Sequence, residues 1–228
     1  MTIESKLPES DPRQRKRYYL QGTLLRRILT AFLRFAFKMF TVIEVSGVEN
    51  LPASGGVVLV ANHLTEFDVF PMQFALPRLI FFMGKAELFN NPALDPILRQ
   101  LGGFPVYRGA RDEWAARHAL RVLEEGQVLG IFPEGKRSQG RGLRAAKTGA
   151  ARFALQARVP IVPMSVVGTD QIFKDFPRRK RILLQVGVPI LPGSGDTPIE
   201  LTDRLMFTLA EMLPARYRGV YAERPPGF

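Results

Sequence analysis

Val57-Val58-Leu59-Val60-Ala61-Asn62-His63-Leu64-Thr65-Glu66-Phe67-Asp68 is the stretch that frames the rest of the chain. Its first four residues, apolar and mostly β-branched, read as a buried strand. The strand leads into a loop that carries an imidazole and a carboxylate with four residues between them, a separation that one tight turn closes. In that geometry the carboxylate accepts the Nδ1 proton, and Nε2 is left to draw a proton from a bound hydroxyl. Open α/β sheets place their chemistry just past strand ends. Two structural readings compete. Thr65 and Asp68 fit a capping box, and Asp68 alone fits the N-cap of a helix through Val69-Phe70-Pro71-Met72, where Pro71 is tolerated only in a first turn.

Outward from this stretch, apolar strands are expected at Val42–Val45, Leu79–Met83, Val128–Phe132, Ile161–Val167 and Ile182–Val188. Helical patterns alternate with them around Val69–Ala75, Pro92–Leu101, Asp112–Glu125, Ala145–Ala157 and Ile199–Leu213. Gly126 stands where a helix C-terminal glycine belongs, just before a strand. The alternation predicts an α/β fold: a single domain with a central, mostly parallel sheet and helices on both faces, preceded by a basic amphipathic helical arm.

That arm has no acidic residue between Pro12 and Ile43. On a helix from Thr23 to Thr41, Arg26, Arg27, Thr30, Arg34 and Lys38 fall in one arc. Leu24, Leu25, Ile28, Leu29, Phe32, Phe35, Ala36 and Met39 fall on the other side. A wide, aromatic apolar arc flanked only by cations suits a helix lying in the headgroup plane of a bilayer. The alternative is an ordinary surface helix packed on its own domain. The run Arg13 to Tyr19 reads as a disordered polybasic tail or as the beginning of the helix.

The 228 residues suffice for one domain with a sizeable core, and 46% of them are hydrophobic. Residues 1–43 are assigned to the basic tail and membrane-associating helix, 44–216 to the domain, and 217–228 to an irregular tail. With no cysteine there is neither a disulfide, nor a thiolate metal site, nor a cysteine acyl-enzyme. A net charge of +11 points to a polyanionic partner, either an anionic lipid surface or nucleic acid. No uncharged apolar stretch is long enough for a conventional membrane span. No Asp, Glu or His cluster has metal-ligand spacing, so no metal is expected.

The stretch Asn62-His63 to Asp68 is followed in order by Gly103-Phe104-Pro105-Val106-Tyr107-Arg108, Phe132-Pro133-Glu134-Gly135-Lys136-Arg137-Ser138 and Val159-Pro160-Ile161-Val162-Pro163. This series resembles the four blocks of the glycerophospholipid acyltransferase family, typified by 1-acylglycerol-3-phosphate acyltransferase. Val45 to Pro52 and Gly84-Lys85-Ala86-Glu87-Leu88 resemble it too, and the likeness runs from about Val45 to Val188. Lys136 stands where the family usually has Thr, and Tyr107 where an Asp commonly precedes the Arg. Both changes fall beside the expected anion site.

The resemblance implies a transfer of a fatty acyl chain from acyl carrier protein or acyl-CoA, as co-substrate and without a cofactor, to the free hydroxyl of a lysophospholipid. The first acceptor to consider is 1-acylglycerol 3-phosphate, giving phosphatidic acid at the cytoplasmic face of a membrane. His63 is the candidate base and Asp68 its orienting partner. No serine nucleophile elbow occurs, and Ser138 and Ser165 read as structural, so the acceptor hydroxyl is expected to attack the thioester directly. Lys85, Arg108 and Arg137 are the candidate phosphate-holding cations. The resemblance places Glu134 and Gly135 in the acceptor pocket, with Gly135 allowing close backbone approach and Glu134 binding an acceptor hydroxyl or anchoring Arg137. Lys147 is a further candidate for the same cleft, and His118, in a highly charged helical pattern, reads as an exposed surface residue. Acylation of another lyso-lipid, such as lyso-ornithine lipid, is the alternative within the family. A basic nucleic-acid-binding protein is the alternative outside it, but no nucleic-acid motif supports that partner.

Overall fold

The computed structural model describes residues 11–109, 111–174 and 178–225. Residues 1–10 of the expected basic tail and the last three residues lie outside the described residues. Seven strands form one sheet: β1 (Thr41–Ser46), β2 (Val57–Ala61), β3 (Ile80–Lys85), β4 (Gly103–Val106), β5 (Val128–Ile131), β6 (Ile161–Val167) and β7 (Lys180–Val186). Their spatial order is β1-β7-β6-β2-β5-β3-β4, and every pairing is parallel except β6 with β7. Among the described residues six α-helices accompany them: α1 (Leu24–Phe40), α2 (Val69–Ala75), α3 (Leu94–Gln100), α4 (Glu113–Glu124), α5 (Gly149–Ala157) and α6 (Pro198–Glu211).

All five residues of β2 are buried, because a central strand in a sheet covered on both faces has no solvent side. Val57, Leu59 and Ala61 pack with Met72 of α2 and with Phe37 and Phe40 of α1. Val58 and Val60 point the other way, into Ala119 and Val122 of α4, Ala150 and Ala154 of α5, and Leu201 and Leu205 of α6. Each such aliphatic side chain contributes about 1.5–3 kcal/mol by leaving water, so the strand that carries the His63 loop is also among the most firmly held. In β5, a Cβ on Gly130 would lie 2.3 Å from the Phe82 ring. The missing side chain is what lets that ring lie across the strand.

Four expectations are corrected. The residues Gly103–Val106, read only as a motif, form the edge strand β4; a four-residue strand containing Pro105 gives almost no periodic signal. The tail after Tyr217 is not irregular throughout, since short 3-10 turns span Ala215–Tyr217 and Gly219–Tyr221 and Tyr217 is buried against α6. His118 is not exposed: its ring stacks on Trp114 and packs against Phe104 and Tyr18, and burial pushes its pKa down to about 4.

The fourth correction concerns the arm. The run from Arg13 is an ordered strap. Arg13 is clamped by Asp11 and Asp112 and sandwiched between the Tyr107 and Trp114 rings, 4.5 Å from each. Burial opposes its charge, but the two carboxylates outweigh that and raise its pKa. Helix α1 docks by the stripe Arg26, Leu33 and Phe37, so Arg26 is buried rather than solvated. Its Nη2 donates to the Ile80 carbonyl, its guanidinium lies over Phe81, and burial lowers its pKa to about 10. Consequently Leu24, Leu25, Ile28, Phe32, Phe35 and Met39 all face outward, each at least half exposed. Among the described residues, no helix is long and apolar enough to cross a membrane.

Candidate active site

The site lies at the carboxyl edge of the sheet, where the loops after β2, β3, β4, β5 and β6 converge. His63 Nδ1 and Asp68 Oδ2 are 2.8 Å apart. The same carboxylate oxygen accepts the backbone N–H groups of Leu64 (2.7 Å) and Thr65 (3.0 Å), while Oδ1 accepts the Thr169 hydroxyl. Asp68 is fully buried and every one of these contacts is a donor, the arrangement a desolvated carboxylate requires. The expectation that Asp68 caps α2 is corrected: it stands at the N-cap position without a side-chain bond to the helix, its carboxylate being taken by His63, Leu64, Thr65 and Thr169. Asp68 reaches back to the Thr65 N–H as a capping-box acid would, although Thr65 Oγ1 accepts from Phe67 instead, and it holds the imidazole at the same time. With Nδ1 engaged, Nε2 is the nitrogen left for a ligand.

Three further contacts fix the ring. It stacks on Phe132, with centroids 4.0 Å apart and planes 14° from parallel, and Phe132 stacks in turn on Phe82. The His63 backbone N–H donates to Glu134 Oε1 and its carbonyl accepts from the Ser138 N–H. The Asn62 carboxamide pairs with both backbone groups of Val166, stapling the loop to β6.

Glu134 is thus a brace. Its Oε2 accepts the Arg144 N–H, and the residue does not line the cavity or touch Arg137. Burial raises its pKa, with the two backbone hydrogen bonds opposing. This departs from the expectation that Glu134 meets the acceptor or anchors Arg137; Arg137 Nη1 instead pairs with Glu66 Oε2 at 2.6 Å.

His63 opens onto a cavity of about 660 Å³. Lys85, Arg108, Lys136, Arg137 and Lys147 line it, and among the described residues Glu66 is the one carboxylate in the lining. The remainder of the wall is largely apolar, from Phe132, Phe82 and Ile131 to Phe70, Phe74, Phe89, Leu98 and Leu101. Gly135 has φ +67°, the left-handed backbone that favours glycine, while a Cβ there would only reach ordinary contact with the end of the Lys147 side chain. Lys85 also pairs with Glu87 at 3.1 Å. Tyr107 is absent from the wall: it packs on Arg13, and its backbone N–H donates to Asp112. Lys136, the other departure, adds a fifth cation.

The structure therefore brings His63, Asp68, Lys85, Arg108, Gly135, Arg137 and Lys147 together, with Glu134 behind them. Sequence reading missed Thr169, Asn62 as a staple, and Glu66. Thr169 and Val166 are about a hundred residues from their partners, so only the fold shows those contacts. Among the described residues no group of His, Asp or Glu is placed to hold a metal.

A mostly parallel sheet thus presents a histidine–aspartate couple beside a cavity that is cationic on one part of its wall and apolar on another. The acyltransferase family profile matches residues 42–167, and the chain belongs to that family. It is similar to 1-acyl-sn-glycerol-3-phosphate acyltransferase of Bacillus subtilis, 31% identical over 65% of this chain and 73% of that one. It also resembles the protein of that description from Borreliella burgdorferi, 33% identical over 58% of this chain and 53% of the relative. An uncharacterized protein of Mycobacterium leprae is 29% identical over 86% of this chain, which spans 54% of that relative. The chain thus spans about half the length of some of the relatives it matches. The crystal structure of 1-acyl-sn-glycerophosphate acyltransferase from Thermotoga maritima superposes with a TM-score of 0.67 over 82% of this chain and 78% of that one, at 24% identity, and shares the fold.

Proposed function

We propose that this protein is an O-acyltransferase working at a membrane surface, moving a fatty acyl chain from a thioester donor, acyl-CoA or acyl carrier protein, to a lyso-lipid hydroxyl. The observation that carries the reading is the His63–Asp68 couple opening onto a cavity that is cationic on one part of its wall and apolar on another. In this reading the neutral imidazole takes the acceptor's hydroxyl proton at Nε2 as the oxygen attacks the thioester carbonyl. Asp68 stabilises the imidazolium that results. Collapse of the tetrahedral intermediate breaks the C–S bond, and the departing thiolate takes the proton back. No acyl-enzyme is required.

The five cations suit a phosphomonoester, which supports 1-acylglycerol 3-phosphate as acceptor and phosphatidic acid as product. Glu66 supports a second reading, an acceptor whose headgroup also carries an ammonium, such as lyso-ornithine lipid. The outward apolar residues of α1, with Arg27, Arg34 and Lys38 beside them, support peripheral association with an anionic bilayer on its cytoplasmic face.

The test is a panel of lyso-lipids and labelled acyl thioesters offered to the purified protein and to His63→Ala. Transfer to the phosphomonoester acceptor, reduced about 100- to 10,000-fold in the variant, is expected of a lost general base. Turnover near the parent's in the folded variant rules the mechanism out.

A further inference from the structure

A second depression of about 200 Å³ lies beside the first, and its accessible lining is almost wholly apolar. Leu33, Ala36 and Phe40 of α1 form one wall, and Phe67 and Phe70 form the other. Phe173 stands at its rim, 61% exposed, within aromatic contact of Phe40 and Phe67.

Two features tie this groove to the chemistry. Leu33 and Phe70 line both spaces, so the two adjoin. The far wall is also continuous with the catalytic turn: Phe67 immediately precedes Asp68, and Phe173 follows by four residues the Thr169 whose hydroxyl meets Asp68. The groove therefore flanks the loop that holds the base, on the side bordered by α1.

The proposed reaction demands two aliphatic chains at once. The donor's chain must trail away from a thioester carbonyl at His63, and the acceptor's own chain must trail away from a hydroxyl at the same atom. If the larger cavity takes one of them, the other needs apolar cover of its own. Exposing the other to water would cost about 0.8 kcal/mol for every methylene left uncovered. We propose that the groove between α1 and Phe67/Phe173 is the subsite for the acyl chain that the acceptor already carries, while the larger cavity takes the chain being transferred. This inference rests on the acyl-transfer reading. The open side of the groove, next to the outward apolar residues of α1, lets the end of that chain remain among lipid tails.

The experiment uses the whole chain on anionic vesicles. Ala36→Trp fills the groove from α1, and Phe173→Ser makes its rim polar. For each variant the acceptor KM is measured with 1-oleoyl- and with 1-hexanoyl-glycerol 3-phosphate, and the quantity read is their ratio. Loss of about two buried methylenes predicts that the ratio rises roughly tenfold, carried by the long-chain acceptor, with the donor KM following the parent. A ratio equal to the parent's overturns the proposal.

A second measurement needs no turnover. A 1-acyl-glycerol 3-phosphate with a diazirine along its chain is photolysed on the protein, and the adducts are mapped by mass spectrometry. Adducts at residues 33–40 and 172–173 support the subsite. Adducts confined to Leu98 and Leu101, or spread over Leu24, Ile28 and Phe32 as a bulk bilayer lipid would give, refute it. If the parent acylates no lyso-lipid yet the adducts map to the groove, the function reading falls while a lipid-chain site remains.

Discussion

Glu66 Oε2 lies 2.6 Å from Nη1 of Arg137, so one of the two arginines lining the cavity already holds a carboxylate. Hydrogen bonds from its own backbone N–H and from Arg137 lower the pKa of the Glu66 carboxylate. An acceptor phosphate at Arg137 must displace or adjoin this carboxylate. Both partners are substantially exposed, and such pairs are worth at most about 1 kcal/mol. Glu66→Gln is therefore expected to lower the KM for a phosphomonoester acceptor, by no more than about fivefold. A KM that instead rises for an ammonium-bearing acceptor assigns Glu66 to that headgroup.

Glu134→Gln replaces two acceptors with one acceptor and one donor. One of the His63 and Arg144 N–H groups is then opposed by an amide NH₂ in a buried position. Destabilisation of about 1–3 kcal/mol is expected, with kcat falling more than KM rises because the loop that moves carries the base. Denaturant unfolding and steady-state kinetics on the same sample check both, and a pure KM effect would place Glu134 on the substrate.

Thr169→Val keeps the shape of the side chain and removes the donor to Asp68 Oδ1. The expected cost is about 1–3 kcal/mol for the buried carboxylate oxygen left unpaired, together with lower kcat at unchanged donor KM. Unchanged unfolding midpoints and rates would show that the hydroxyl is incidental.

His118 gives the protein a pH dependence remote from the site. Its pKa falls from the ordinary 6.5 to about 4, chiefly through burial and with some help from Arg121. The unfolded chain therefore takes up a proton below pH 6.5 that the folded chain refuses until about pH 4. Stability is greatest above 6.5 and declines as pH drops through that window. The decline is at most about 3 kcal/mol, less where solvent reaches the ring. Urea midpoints at pH 7 and pH 4.5 for the parent and His118→Phe test this; an equal slope in both would exclude His118 as its source.

Phe32→Ser with Phe35→Ser changes only the outward face of α1, leaving the Arg26, Leu33 and Phe37 stripe intact. Sedimentation with anionic vesicles is expected to show several-fold less bound protein at unchanged circular dichroism. Retention equal to the parent's would take this face out of the membrane reading.

What the chain discloses before folding follows from how far apart the partners are. His63 and Asp68 meet inside one turn, so spacing sufficed, and the alternation of buried strands with helices foretold the sheet and its two covered faces. The cations at the mouth were legible as motif residues, but not their pairing: Arg137 meets Glu66 and not Glu134, because Glu134 turns inward to two backbone N–H groups. Arg26 and His118 were misplaced for a common reason. A helical wheel orders side chains around an axis but does not say which arc the rest of the protein covers, and here the covered arcs include a guanidinium and an imidazole. Edge strand β4 escaped notice because its four residues carry no period.

The stacked rings beneath the imidazole give the reaction centre an unexpected dependence. Gly130 lies two strand residues before Phe132, in the middle of the sheet, and it is the space above that glycine which Phe82 occupies. Phe132 rests on Phe82, and His63 rests on Phe132. A single methyl group placed at position 130 would have to lift one aromatic plate, then the next, and finally tilt the imidazole. The set of the His63 ring thus depends on a residue that has no side chain at all.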